Sequence, residues 1–172
     1  MEVTEAVRTK RAIRRFKDEP LPEDAVEAIL NASRRSPTSS NSQYLTYTAI
    51  SDKGLQAQLA EIRPGARHLR DAPFVVVLVA QTDKWSNSIV NFDTGQAATY
   101  MMLEAWSLGI GSNVAWFGSE NNAGQVLNLP EGARCEWAIA FGYPKEESAT
   151  SAPTKPGGRK SLEDVVRWGR WE

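Results

Sequence analysis

The strongest constraint on the fold is one unbroken apolar run, Pro73-Phe-Val-Val-Val-Leu-Val-Ala80. Its β-branched side chains favour a pleated strand over a helix. A half-exposed strand would alternate apolar with polar residues. This run has no polar position, so it must be covered on both faces. The chain has 172 residues, the length of one ordinary domain, and 41% of them are apolar. One domain spanning 1–172 therefore has to supply both covers.

Residues 2 to about 11 carry Val3, Ala6 and Val7 at helical spacing. Pro22 suits the first position of a second helix, and Glu23 and Asp24 complement its N-terminal dipole. Val26, Ile29, Leu30 and Ser33 mark one face of that helix, which stops before Pro37. Leu55, Leu59 and Ile62 mark a third helix. Residues 93–108 form a long fourth one, ended by Gly109. Further strands are expected near Tyr44–Ile50 and over Cys135–Tyr143. This mixture points to an α/β or α+β fold with one central sheet. Residues 145–160 are rich in Pro, Gly, Ser and Thr and read as an extended surface arm. The tail beyond holds Leu162, Val165, Val166, Trp168 and Trp171. The arm has no core of its own, and two tryptophans are costly to leave in water. A second subunit would bury them; so would a tail folded back on its own chain.

Lys and Arg number 20 against 21 Asp and Glu, so no bulk field draws the chain to nucleic acid or to an anionic membrane. The one cysteine, Cys135, rules out an intrachain disulfide and a Cys-only zinc site, and its strand-like surroundings read as core. The one histidine, His68, is a poor basis for a metal site or a Ser-His-Asp triad. Met1-Glu-Val-Thr-Glu lacks the basic start and apolar run of a signal peptide. No stretch approaches the roughly 20 apolar residues of a membrane span. A soluble, cytoplasmic protein is the expectation. There is no G-x-x-x-x-G-K-S/T loop. Gly109-Ile-Gly-Ser-Asn-Val-Ala fails G-x-G-x-x-G and follows a helix rather than a strand.

Three polar clusters remain. Lys10 and Arg11 stand four and three residues before Arg14, which on a helix puts both on its side. Thr38, Ser39, Ser40 and Asn41 offer hydroxyl and amide groups on a loop, and Arg159 and Lys160 follow Gly157-Gly158. Converging on one ligand, they suit a phosphate, whose oxygens fit a guanidinium fork. A solvated helix end accounts equally well for Lys10–Arg15.

The order of four segments is more specific. Lys10-Arg-Ala-Ile-Arg-Arg-Phe16 is similar to an Arg-Arg-Ser-x-Arg-x-Phe pattern, and Ser36-Pro-Thr-Ser-Ser-Asn-Ser-Gln43 to an Ala-Pro-Ser-x-x-Asn-x-Gln loop after a helix. Asp93-Thr-Gly-Gln-Ala-Ala98 leads through Leu103 to Leu108-Gly-Ile-Gly-Ser112. Phe141-Gly-Tyr-Pro144 is followed by Arg159-Lys-Ser-Leu-Glu-Asp-Val-Val166. Together they resemble the nitroreductase family of FMN-dependent NAD(P)H oxidoreductases, over nearly the whole chain.

The resemblance implies an α+β fold, a mixed central sheet flanked by helices. It also implies a homodimer with FMN at the subunit interface and a C-terminal arm that embraces the partner subunit. By position, Arg11 and Arg14 would hold the flavin phosphate and the pyrimidine edge, with Lys10 beside them. Ala12 stands where the family has a serine donor. Thr38, Ser39 and Asn41 would reach the flavin from the partner chain. Gly111 and Ser112 would open the stretch, about Asn113–Gly118, that lines the ring. Arg159 and Lys160 would close over the phosphate, whose charge of about −1.5 to −2 suits two or three cations. Tyr44-Leu45 replaces a common Pro-Trp. Pro64-Gly-Ala-Arg67 occupies the place where relatives carry a polar flavin ligand.

The implied chemistry is ping-pong. NAD(P)H passes a hydride to the flavin, which then reduces a nitroaromatic, a quinone or a similar flat acceptor. No catalytic side chain is required, and Arg14 lends electrostatic support to the reduced flavin. Alternatives on the same fold are a dehydrogenase, a dehalogenase or a flavin-degrading enzyme. A flavin-binding protein without turnover is a further one.

Overall fold

The apolar run forms strand β2, Phe74–Gln81, one of two central strands in a sheet of four. The computed structural model describes residues 1–151 and 158–171. The other strands are β1 (Leu45–Ile50), β3 (Gly111–Trp116) and β4 (Ala133–Gly142), in spatial order β1-β2-β4-β3. All three pairings are antiparallel. The mixed character expected of the sheet is confined to one parallel bridge, Ala12 to Ser112.

Seven of the eight β2 residues are buried, and they alternate between two cores. Val75, Val77 and Val79 enter a cluster with Leu59 of helix α3 (Lys53–Glu61), with Ala66 and Leu69 of a 3-10 segment Pro64–Leu69, and with Ala123 of α5 (Asn122–Val126). Phe74, Val76, Leu78 and Ala80 enter a second cluster with Ile29 of α2 (Glu23–Arg34) and Ala97, Met101 and Ala105 of α4 (Asn87–Ser107). Burying a side chain of this size stabilises the fold by about 1.5–3 kcal/mol. The run is therefore the common floor of both cores, and the fold is α+β.

Two helices depart from expectation at their ends. α1 spans Val3–Thr9 and stops before the basic cluster. Ile13 is the physical reason. Its side chain is buried in the first core, and its N–H donates to Ser112 O at 3.0 Å, so residues 10–16 leave the helix and cross from the start of β3 to Pro144 beyond β4. Lys10, Arg11 and Arg14 therefore do not share a helical face. α4 starts at Asn87 rather than residue 93. Asn87 and Asn91 are weak helix formers, but Arg134 donates to Asn87 and Trp137 Nε1 donates to Asn91 Oδ1 at 3.1 Å. At the other end Gly109 ends α4 as expected, with φ +76°. Its N–H bonds Trp106 O and that of Ile110 bonds Ala105 O, which satisfies two terminal carbonyls.

Residues 145–160 are the expected surface arm. Within it a short helix α6 occupies Ser148–Ser151, and residues 152–157 lie outside the described residues. Helix α7 (Leu162–Val165) opens on a capping box at Ser161. Beyond it Trp168 and Trp171 are 88% and 86% exposed, so the tail is not folded back onto its own chain.

Candidate functional site

Residues 10–17 are laced to the sheet at both ends. Ala12 bridges Ser112 at the start of β3, while Phe16 bridges Pro144 and Lys17 N–H donates to Tyr143 O beyond β4. Gly111 is needed here for close approach. A Cβ on it would lie 2.7 Å from Ile13 Cβ. The lacing buries Ile13 and Phe16 and leaves Ala12 and Arg14 exposed, with Lys10 and Arg11 half-buried. Arg11 donates to the carbonyls of Arg8, Thr9 and Lys10 at the end of α1. Lys10 reaches Met102 Sδ at 3.5 Å. Burial, and then the nearby Arg14 charge, push the Lys10 ammonium below its usual range. Neither Lys10 nor Arg14 has a carboxylate partner among the described residues. Two neighbouring cations without an anion between them form a site short of negative charge.

This pair stands beside the free edge of β3. Phe117 N–H donates inward to Glu136 O, while Ser112 O faces outward to Ile13 N–H. Antiparallel strands alternate inward- and outward-facing pairs, so the N–H groups of Val114 and Trp116 point away from β4. The side chains of both are exposed, 39% and 43%. Arg63 stacks its guanidinium 4.5 Å from the Trp116 ring and bonds Phe117 O at 3.1 Å, which fixes the end of the strand. Gly111 and Ser112 themselves are buried, and their task in this chain is to seat residues 12 and 13. The Ser112 hydroxyl has no hydrogen-bond partner among the described residues.

His68 belongs to this site, although sequence reasoning set it aside. The 3-10 segment Pro64–Leu69 packs under β3 and brings His68 Nε2 to 3.2 Å from Asn113 Nδ2 and 3.4 Å from Asn113 O. Burial is the main cause of its lowered pKa; the hydrogen bond to Asn113 O opposes this, the Arg14 charge lowers the pKa further, and a smaller backbone hydrogen bond to Gly65 raises it. The only usable signal is its place directly after Pro64-Gly-Ala-Arg67, where relatives carry a polar flavin ligand.

The loop of Thr38, Ser39 and Asn41 lies elsewhere. Ser39–Asn41 is a 3-10 turn in which Ser40 and Asn41 have φ of +53° and +50°. Buried Asp93 of α4 accepts from Ser39 N–H at 2.8 Å and from Tyr44 OH at 2.7 Å, and Gln43 N–H donates to Thr38 Oγ1. Burial, and then this bond to Asp93, raise the Tyr44 pKa. Asp93 is nine residues along α4 from Met102, where Lys10 sits, which is about 13 Å at 1.5 Å per residue. One chain thus carries the loop and the cations at two points on α4, about two and a half helical turns apart. Arg159 and Lys160 are exposed and have no hydrogen-bond or ion-pair partner among the described residues. No group of acidic, His and Cys residues there has the makings of a metal site, and no helix is long and apolar enough to cross a membrane.

A family model described as "Putative TM nitroreductase" matches residues 2–170. The chain is 26% identical over 197 residues to an NADH dehydrogenase of Thermus thermophilus, with 92% of each protein covered. It is 24% identical over 169 residues to an FMN reductase (NAD(P)H) of Bacillus subtilis, covering 86% of this chain and 68% of that protein. An FMN-dependent nitroreductase from Clostridium difficile superposes with a TM-score of 0.82 at 23% identity, over 98% of this chain and 99% of the other. A family match of that span, on this fold, means that the chain belongs to the nitroreductase family.

Proposed function

We propose that this protein is an FMN-dependent oxidoreductase that takes a hydride from NAD(P)H and passes electrons to nitroaromatics, quinones or similar flat acceptors. The observation that carries the reading is the pair Lys10 and Arg14, without an anionic partner, beside the outward N–H groups of β3. A flavin mononucleotide is an anion attached to a flat ring with hydrogen-bonding edges, and the residues fit both parts. Lys10 and Arg11 supply charge for the phosphate, and Arg14 lies where the pyrimidine edge would lie. The N–H of Val114 or Trp116 supplies a donor for the ring's reactive nitrogen. Bound there, FMN supplies two-electron chemistry, so no nucleophile or acid–base pair is demanded of the chain. Relatives named for NADH, NAD(P)H and FMN support the same assignment.

The active unit is a homodimer on this reading. The loop at Thr38, Ser39 and Asn41 is too far along α4 to complete its own chain's site, and a partner would bring it to the other. Exposed Phe92 and Tyr100 on α4, with Trp168 and Trp171 on the tail, are the surface such a partner would cover. Arg159 and Lys160 would reach the phosphate with the tail.

A visible absorption spectrum, taken before and after anaerobic NADPH and then NADH, tests this. Flavin bands that bleach, and return on adding a quinone or nitroaromatic, are the expected result. Bands that never bleach would leave a flavin-binding protein without turnover. Absence of bands after soaking in FMN would overturn the cofactor.

A further inference from the structure

The contacts of His68 make opposite demands on one nitrogen. Toward Asn113 Nδ2, at 3.2 Å, Nε2 has to accept, so it carries no proton. Toward Asn113 O, at 3.4 Å, it has to donate, so it carries one. A neutral ring protonated on Nδ1 satisfies the first contact. Any Nε2–H satisfies the second and opposes the first, N–H against N–H, and a proton added to the Nδ1–H tautomer has only Nε2 to go to. Asn113 is not idle in this exchange, because its Nδ2 also donates to Val114 O at 2.9 Å. That carbonyl lies on the outward edge of β3. A proton on His68 therefore turns the Asn113 amide and removes a donor from the strand edge beside Arg14.

We propose that His68 and Asn113 form a proton-linked switch on the edge of β3, in which His68 takes one proton from water when NAD(P)H reduces the flavin and returns it on reoxidation. This rests on the function proposed above. The balance is simple. The hydride carries two electrons and one proton to the ring; the second proton goes to Nε2. His68 is then the positioning residue that matches the strand edge to the charge of the ring.

The local field supports the coupling. Arg14 is the charged group that acts on His68, and it disfavours an imidazolium. Negative charge arriving beside Arg14 offsets that field and makes the imidazole easier to protonate. Other charges around the 3-10 segment are engaged elsewhere. Glu61 of α3 pairs with Arg70, Lys53 of α3 donates to Ala72 O, and Arg134 of β4 donates to Asn87 and to Thr82 O. Arg67 on the segment and Glu136 on β4 are not among the groups that shift His68. β3 itself carries no titratable side chain.

Two measurements on the full chain test it. The first is nuclear magnetic resonance of the His68 ring nitrogens and the Asn113 side-chain amide against pH, with the flavin content of the sample measured beforehand. The expected result is one shared titration; an Asn113 amide indifferent to His68 overturns the switch. The second is the flavin midpoint potential against pH in wild type and His68→Gln. Wild type should take up two protons per two electrons across the interval between the oxidised-state and reduced-state pKa values of His68. The variant should take up one. Each proton is a tenfold change in equilibrium per pH unit, or 29.6 mV for two electrons. Equal slopes overturn the coupling. If His68→Gln does not fold, Asn113→Ala should keep the second proton yet lose the shift of the strand edge, and wild-type uptake of a single proton at every pH overturns the proposal. A chain that binds no FMN sinks the proposed function and the coupling together, and the ring–amide titration, which needs no flavin, tells that failure apart from a failed switch.

Discussion

Strands β2 and β3 belong to one sheet but face different problems. β2 has a neighbour on each edge and a core on each face, and every residue from Phe74 to Ala80 is buried. β3 has β4 on one edge only, and it shows Val114 and Trp116 to solvent. The first is complete within its own chain. The second is left open, with outward N–H groups, two cations without a carboxylate and a half-buried histidine along its free side. An unpaired strand edge is a liability that proteins usually blunt. Leaving it open is reasonable where a ligand is to be laid along it.

The largest expected effect breaks the complete side. Leu78→Ala removes a fully enclosed side chain, and such changes cost about 2–5 kcal/mol. Val114→Ala, on the open edge, should cost under about 1 kcal/mol, since its side chain has little core to leave. Urea denaturation of both variants without flavin measures the gap. Equal losses would mean that the edge of β3 is not open, and the comparison would fail.

The same contrast explains what could be read from the residues alone. Apolar runs and helical spacing report burial within a chain, so β2, β4, α2 and the stop of α4 at Gly109 were legible. β3 was not read as a strand. Its Gly-Ser-Asn start has weak β-propensity, and it is held by Ile13 and β4 instead. The helix assumed for Lys10–Arg14 failed for the same reason, because a bridge to Ser112 outweighed local spacing. The basic residues themselves are singled out by the order of family segments rather than by any spacing of their own. His68 was missed because its meaning lies in contacts with Asn113 and Arg14, 45 and 54 positions away.

Next in size is Arg14→Ala. A charge-assisted hydrogen bond is worth about 1.5–3 kcal/mol, so FMN affinity should fall by roughly ten- to a hundredfold. Titration of the apoprotein with FMN, followed by flavin fluorescence, reads this. The flavin-free protein should lose no stability, because the substitution relieves repulsion with Lys10. An unchanged affinity would remove Arg14 from the site. A loss of stability in its place would make the residue part of the fold.

A smaller effect comes from acid. The pKa of His68 lies below its ordinary 6.5 in the fold, so between these values the unfolded chain binds the extra proton. Stability then rises with pH in that interval. It should be full above 6.5, decline as pH falls below it, and level off under the folded pKa. Denaturation midpoints between about pH 7.5 and about pH 5.5 should show this in wild type. The decline should be shallower in His68→Gln; an identical slope would assign the acid sensitivity to other groups.

The smallest effect is expected at Cys135, which sharpens the comparison from the covered side. It lies on β4 with its side chain in the first core, 1% exposed, and burial pushes its thiol up to about 11. A thiol in that state is neither nucleophile nor redox partner at neutral pH, because the thiolate is the reactive form. Its nearest polar neighbour is Asn121 Oδ1 at 3.8 Å, a weak contact. Cys135→Ser should therefore leave reduction of the flavin by NAD(P)H unchanged and cost a modest amount of stability for a buried hydroxyl. Alkylation by iodoacetamide should be negligible in the native protein and appear on unfolding. Rapid native alkylation that abolished turnover would move chemistry to the covered face of the sheet and reverse the contrast between the complete strand and the open one.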